Sequence, residues 1–276
     1  MQQQPVIEDQ DVDTEVGVDE VEPGAVEEEG PRRRGIYLLP NLFTSAGLFS
    51  GFYAIVAAMV GKFEPAAIAV FAAMVFDSLD GRVARWTHTE SAFGKEYDSL
   101  SDMVSFGLAP ALVMYEWSLR SMNDYGVIPG KLGWMGAFIY AACAAIRLAR
   151  FNVRVGVVDK RYFQGLPSPA AAGIVVGAVW CAYYLDVPGS ALIIPAYILT
   201  VGAGVLMVSS VGYYSFKDLK LQGRVPLVVL LMVVLLIVVI SIDPEIVLFL
   251  GFLLYAVIGL LLAAYRLYRR RGRRPA

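Results

Sequence analysis

Eight stretches of this chain, each 18 to 23 residues long, are apolar enough to cross a bilayer. They fall near residues 40–60, 66–86, 97–119, 132–151, 167–185, 190–210, 225–242 and 245–265. Hydrocarbon offers no water to a backbone amide, and runs of this length satisfy their own hydrogen bonds only as helices. An all-α polytopic membrane protein is therefore expected. A mean hydropathy of +0.59 and 57% hydrophobic residues over 276 positions point the same way. The pattern is least regular between 186 and 224, where Pro188, Pro195 and several glycines interrupt it.

The net charge of −2 conceals two opposed parts. Residues 1–29 hold eleven acidic side chains and no Lys or Arg. The remainder carries 23 basic against 14 acidic residues, a net +9. Residues 1–31, acidic and without apolar periodicity, are read as a disordered tail. They lack the basic start and short apolar core of a signal peptide. With the N-terminus in the cytoplasm, twenty of the 23 basic residues fall on the cytoplasmic side, leaving Lys62, Arg120 and Lys131 opposite. That bias sets both termini inside. The triplet Arg32-Arg33-Arg34 beside the first span is assigned to topology, with no nucleic-acid partner. The tail 269–276 reads as a cytoplasmic headgroup anchor.

Against this apolar background, Asp77 to Asp102 reads DSLDGRVARWTHTESAFGKEYDSLSD. On a helix, Asp77, Asp80, Gly81 and Ala84 lie within an arc of about 100°. Gly94, Asp98, Asp102 and Ser105 share one face of the next. Only twelve apolar residues, Pro65 to Phe76, precede Asp77. They rise about 18 Å as helix, short of a ~30 Å hydrocarbon core, so the helix continues through the aspartates. The carboxylates then sit below the cytoplasmic surface and must face a hydrated cavity or a cation. Four such groups stay ionised together only when cations neutralise them, and hard divalent ions suit oxygen ligands. Gly81, Ala84 and Gly94 leave room for a bulky ligand, and Arg85 adds a fixed positive charge. The set fits a metal-held pyrophosphate with a nucleotide lying across small residues. The plainer alternative is a set of solvated helix caps.

Asp77-Ser-Leu-Asp80-Gly81-Arg-Val-Ala84-Arg85, eight residues, then Gly94-Lys-Glu-Tyr-Asp98-Ser-Leu-Ser-Asp102 resembles the full signature of the CDP-alcohol phosphatidyltransferases at all eight defining positions. The resemblance implies two divalent ions, Mg²⁺ or Mn²⁺, held by Asp77, Asp80, Asp98 and Asp102. It places Gly81, Ala84, Arg85 and Gly94 around the CDP group and makes Asp102 the catalytic base. It also implies a six-helix catalytic core over 32–224, followed by two additional helices over 225–268, and a homodimer.

Three further runs resemble the serine-using bacterial branch of that family, the phosphatidylserine synthases. They are Leu39-Pro40-Asn41-Leu-Phe-Thr44, Ser105-Phe106-Gly107-Leu-Ala-Pro110, and the stretch from Arg147 to Pro169. The implied reaction moves a phosphatidyl group from CDP-diacylglycerol to L-serine at the cytoplasmic face of a bacterial inner membrane. Arg147, Arg150 and Asn152 are the candidate serine-binding residues, since an arginine pair recognises a carboxylate. Cations at a helix C-terminus near the cytoplasmic leaflet also have a purely structural explanation. Tyr162 to Pro169 is expected to be a rigid turn.

Two rival readings remain. A sister enzyme using glycerol 3-phosphate or inositol phosphate would share the aspartate signature. An ion-coupled transporter would also bind cations, but near the bilayer midplane on broken helices. His88, the only histidine, is expected to be solvated, and Cys143 and Cys181 to be small packing residues. The last two spans, uncharged within their cores, are expected to be scaffold or dimer surface.

Overall fold

A computed structural model describes residues 38–89, 91–154, 162–214 and 227–271. The acidic stretch 1–31 and the last five residues of the basic tail lie outside them. The described chain runs α1 (Leu38–Met59), α2 (Phe63–Thr87), α3 (Ala92–Asp102), α4 (Ala109–Trp117), α5 (Val127–Arg154), α6 (Ser168–Tyr184), α7 (Ile193–Val208), α8 (Leu227–Ile242) and α9 (Pro244–Arg271). A π-helical turn, Met103–Leu108, joins α3 to α4 as one continuous rod. A 3₁₀ segment, Leu119–Tyr125, leads to α5, and another, Gly189–Leu192, leads into α7.

This is an all-α membrane protein. The stretches Leu39–Met59, Val127–Val153, Gly189–Val208 and Pro244–Tyr265 are long and apolar enough to cross a membrane on length and composition alone. The other expected spans are also helical. Ser168–Tyr184 and Val229–Ile242 are shorter, and α2 and α3 carry the aspartates that interrupt their apolar character.

Sequence explains most boundaries. His88 takes a left-handed conformation (φ 52°), and its N–H closes α2 on the Ala84 carbonyl. Ser91 caps α3 by accepting from the Gly94 N–H at 2.9 Å. In α1, Thr44, Ser45 and Ser50 bond back to carbonyls four residues earlier, which lets hydroxyls sit inside an apolar helix.

Small residues bring α1, α2 and the α3–α4 rod together. Ala54, Ala57 and Ala58 of α1 and Ala66, Ala67, Val70 and Ala73 of α2 are all buried. In lipid, close packing rather than water exclusion drives such contact. Gly51 meets the π turn so closely that a Cβ there would lie 2.7 Å from the Cα of Ser105. Ser101 and Ser105 donate to the carbonyls of Thr44 and Gly47, each at 3.1 Å. These contacts hold the aspartate-bearing half of α3 against α1.

Residues 162–164, expected within a turn, instead form strand β1 (Tyr162–Gln164). It pairs antiparallel with β2 (Gly212–Tyr214), Phe163 opposite Tyr213. Three of these six residues are tyrosine and one is phenylalanine, types that favour extended backbone. The ribbon ties the chain entering α6 to the chain leaving α7.

Candidate active site

The turn of α2 that follows its apolar part delivers Asp77 and Asp80, while α3 delivers Asp98 and Asp102 from the neighbouring helix. One carboxylate oxygen from each of Asp77, Asp98 and Asp102 lies within 4.8 Å of the other two. Asp80 is 5% exposed, and its Oδ2 accepts from the Thr44 hydroxyl at 2.8 Å. All four line one narrow cleft, together with Thr44, Gly47, Ala73, Ser101, Ser105 and Phe106. Among the described residues the ion pair is Arg120–Glu116, and neither partner belongs to this cavity.

Convergent carboxylates without a paired cation form a donor set for a hard divalent metal. The residues present fit that group: the ligands are all oxygen, they come from two helices, and Thr44 orients Asp80.

The nucleotide-side candidates frame the same region. A Cβ built on Gly81 meets nothing within 4 Å, so that flank of α2 is open. Arg85 donates from Nε to the Gly81 carbonyl at 2.8 Å, and its side chain is exposed. Ala84 is half-buried on the same helix. At Gly94 a Cβ would lie 3.1 Å from Ser91 Oγ and 3.5 Å from Asn41 Oδ1, so this helix start approaches α1.

On the other flank, Arg147 is largely buried in α5. Its Nη1 donates to Ser168 Oγ, the first residue of α6, at 2.7 Å. Its Nε is buried and has no hydrogen-bond partner among the described residues. Arg147 is also near enough to Asp102 for their charges to interact. Arg150 points elsewhere, donating to the carbonyls of Val208 at 2.9 Å and Met207 at 3.4 Å. Asn152 donates to Ser99 Oγ at 2.9 Å, linking α5 to α3. Lys160 and Arg161 lie outside the described residues.

Residues 37–211 match the CDP-alcohol phosphatidyltransferase family. The chain belongs to that family. Its relatives include a Helicobacter pylori protein named CDP-diacylglycerol–serine O-phosphatidyltransferase, 36% identical over 227 residues, covering 81% of this chain and 91% of that protein. A Methanocaldococcus jannaschii protein of the same name is 35% identical over 67% of this chain and 78% of its own length. A Saccharomyces cerevisiae protein of that name is 37% identical over 52% and 54%.

The structure of this CDP-alcohol phosphatidyltransferase family member also brings in groups with no assigned role in the sequence. Thr44, Ser101, Ser105 and Ser168 all hold carboxylates, helices or Arg147 in place. Their signal was faint: Gly47 and Gly51 on α1, Ser101 and Ser105 on the α3–α4 rod, each pair at a four-residue interval. His88 is exposed, and Cys143 and Cys181 are partly buried free thiols.

Proposed function

We propose that this chain transfers the phosphatidyl group of CDP-diacylglycerol to the hydroxyl of L-serine, releasing CMP. The observation that carries the choice of acceptor is Arg147. A partly buried guanidinium, whose Nε has no partner among the described residues, meets the first residue of α6, and its charge interacts with that of Asp102. Family relatives named for serine transfer support the same choice.

In this reading Asp77, Asp80, Asp98 and Asp102 hold two divalent ions, Mg²⁺ or Mn²⁺. When bound, such ions supply charge neutralisation for the pyrophosphate and the departing CMP. Gly81, Ala84 and Gly94 leave the backbone open to the cytidine group, with Arg85 at its edge. Arg147 receives the serine carboxylate, and the amide dipoles of the α6 start favour the same anion. Arg150 and Asn152 shape that pocket by bracing α5 against α7 and α3. Asp102 takes the proton of the serine hydroxyl as it attacks phosphorus. One product stays in the leaflet while CMP leaves to water.

The proposal extends to eight spans: α1, α2, the α3–α4 rod and α5 to α9. Six form the catalytic domain, residues 32–224, and two more follow over 225–268, between an acidic tail (1–31) and a basic one (269–276). Both termini and the site face the cytoplasm of a bacterial inner membrane, and the enzyme works as a homodimer.

The test uses purified protein, CDP-diacylglycerol and Mn²⁺, with CMP release measured for serine, glycerol 3-phosphate and inositol phosphate in turn. Release with serine is expected. Release with either phosphate-bearing alcohol, and none with serine, would assign a sister activity instead.

A further inference from the structure

Helix α9 and strand β2 both begin beyond the residues that match the family, and they interlock. Phe249, Phe252, Ala256 and Gly259, spaced three or four residues apart, form one stripe of α9 that is partly or fully buried. The first half of the stripe seats on α6. A Cβ at Gly173 would lie 2.6 Å from the Phe252 ring, and one at Gly177 would lie 3.1 Å from the Phe249 Cα. The second half receives Tyr213 of β2. A Cβ at Gly259 would collide with the Tyr213 ring, so the missing side chain is the notch that admits it. Tyr213 is fully buried there, its hydroxyl donating to the Ala256 carbonyl at 3.5 Å and its ring centroid 5.6 Å from that of Tyr255.

The path from Tyr213 to the acceptor side of the site is short and made of backbone bonds. Phe163 pairs with Tyr213, and Gln164 with Gly212. Gly165 then donates its N–H to the Val211 carbonyl at 2.8 Å, and Leu166 donates to the Leu206 carbonyl at 3.0 Å. Gly165 has a φ of 84°, and a Cβ there would strike the Met207 carbonyl, so the chain lies against the end of α7 only as glycine. Two residues after Leu166 comes Ser168, whose Oγ accepts from Arg147 Nη1 at 2.7 Å. A guanidinium recognises a carboxylate through a planar fork, so its orientation decides how well it binds.

We propose that Tyr213 is a positioning residue for Arg147. It keys α9 to the ribbon, and the ribbon sets Ser168 and through it the guanidinium. The proposal rests on the reading that Arg147 receives the acceptor's carboxylate. It makes a contact that lies wholly outside the family-matched residues part of acceptor recognition.

The experiment compares Gly259→Ala, Tyr213→Phe, Tyr213→Leu and the pair Gly259→Ala/Tyr213→Leu with the parent protein. It reads KM for serine, KM for CDP-diacylglycerol, kcat and the thermal midpoint in detergent. Gly259→Ala should raise the serine KM about three- to tenfold, with the lipid KM unchanged. Adding Tyr213→Leu should bring that KM back toward the parent, because the shorter side chain makes room for the new methyl. Tyr213→Phe keeps the ring in its notch and should match the parent within about twofold, since the bond it loses is long. In a Ser168→Ala background, Gly259→Ala should add little, because one acts through the other. If Gly259→Ala does not accumulate, Tyr213→Leu alone carries the test, with the same split between the two KM values expected.

A lowered midpoint with the serine KM unchanged would make the contact merely structural and overturn the role of Tyr213. Parallel rises in both KM values would do the same, as would an undiminished effect in the Ser168→Ala background. Arg147→Lys tests the underlying reading separately. If it leaves the serine KM unaltered, the carboxylate reading itself fails, and this proposal with it. If it raises the serine KM while Gly259→Ala and Tyr213→Leu do not, only the role of Tyr213 is lost.

Discussion

The hydroxyl of Thr44 on α1 donates to Oδ2 of Asp80 on α2 at 2.8 Å. The same hydroxyl lies 3.1 Å from the Pro40 carbonyl, but its one proton favours the shorter contact to a charged acceptor. Asp80 is therefore aimed by a residue from another helix. Thr44→Val keeps the shape and removes the donor. Outer-shell partners of this type are worth about ten- to a hundredfold in metal affinity. The expected outcome is a rise of that order in the Mn²⁺ concentration giving half-maximal CMP release, restored by Thr44→Ser. An unchanged Mn²⁺ titration for Thr44→Val would remove Thr44 from the metal site.

Gly51 is where α1 touches the π turn that follows Asp102. An added Cβ would meet the Ser105 backbone at 2.7 Å, which no side-chain rotation relieves. Gly51→Ala should cost about 1–3 kcal/mol, as overpacking does, read as a lower thermal midpoint. Activity should fall with it, since the displaced turn adjoins Asp102. Gly251→Ala is the control, because a Cβ there meets nothing within 4 Å. Equal behaviour of the two variants would show that the close approach is not needed.

Topology offers a third test. The proposed map puts Lys62, between α1 and α2, outside, and the end of α9 inside. Single cysteines at position 62 and at position 272 should react with an impermeant thiol reagent from opposite sides of the membrane. Reaction of both from one side would require an even number of crossings between them and overturn the eight-span arrangement.

The helices were legible because lipid forces long apolar runs into helix, and the aspartates because charges in such runs need a reason. Asp77, Asp98 and Asp102 converge as their spacing implied. The β1–β2 ribbon was not legible, since three-residue strands carry too little periodicity to separate from a turn. Nor did spacing distinguish Arg147 from Arg150. Both sit on α5 three residues apart, yet one meets Ser168 near Asp102 and the other caps the end of α7. That difference depends on where α6 and α7 pack, which is a tertiary fact. The hydroxyls of Thr44 and Ser105 were hidden for a related reason: each meets its partner, Asp80 or the Gly47 carbonyl, on another helix.

The final prediction separates the aspartates by role. Serine's hydroxyl is a weak nucleophile while protonated, so a group at the site must take its proton during attack. Asp102 is the proposed base. It stands one turn from Asp98, faces Asp77 across the helix pair, and its charge interacts with that of Arg147, the proposed acceptor contact. Asp102→Asn keeps the size and hydrogen-bonding capacity of the side chain but cannot accept that proton. Turnover should fall by at least the 10²- to 10⁴-fold that general-base catalysis contributes, with CDP-diacylglycerol still bound in the presence of Mn²⁺. Asp77→Asn should weaken Mn²⁺ and nucleotide binding together, because it removes a charge from the shared oxygen cluster. Calorimetric titration of Mn²⁺ and of CDP-diacylglycerol into each variant distinguishes the two. If Asp102→Asn loses Mn²⁺ as completely as Asp77→Asn does, Asp102 is a ligand and the base lies elsewhere. If it turns over at near-parental rate, the proton goes to another group altogether.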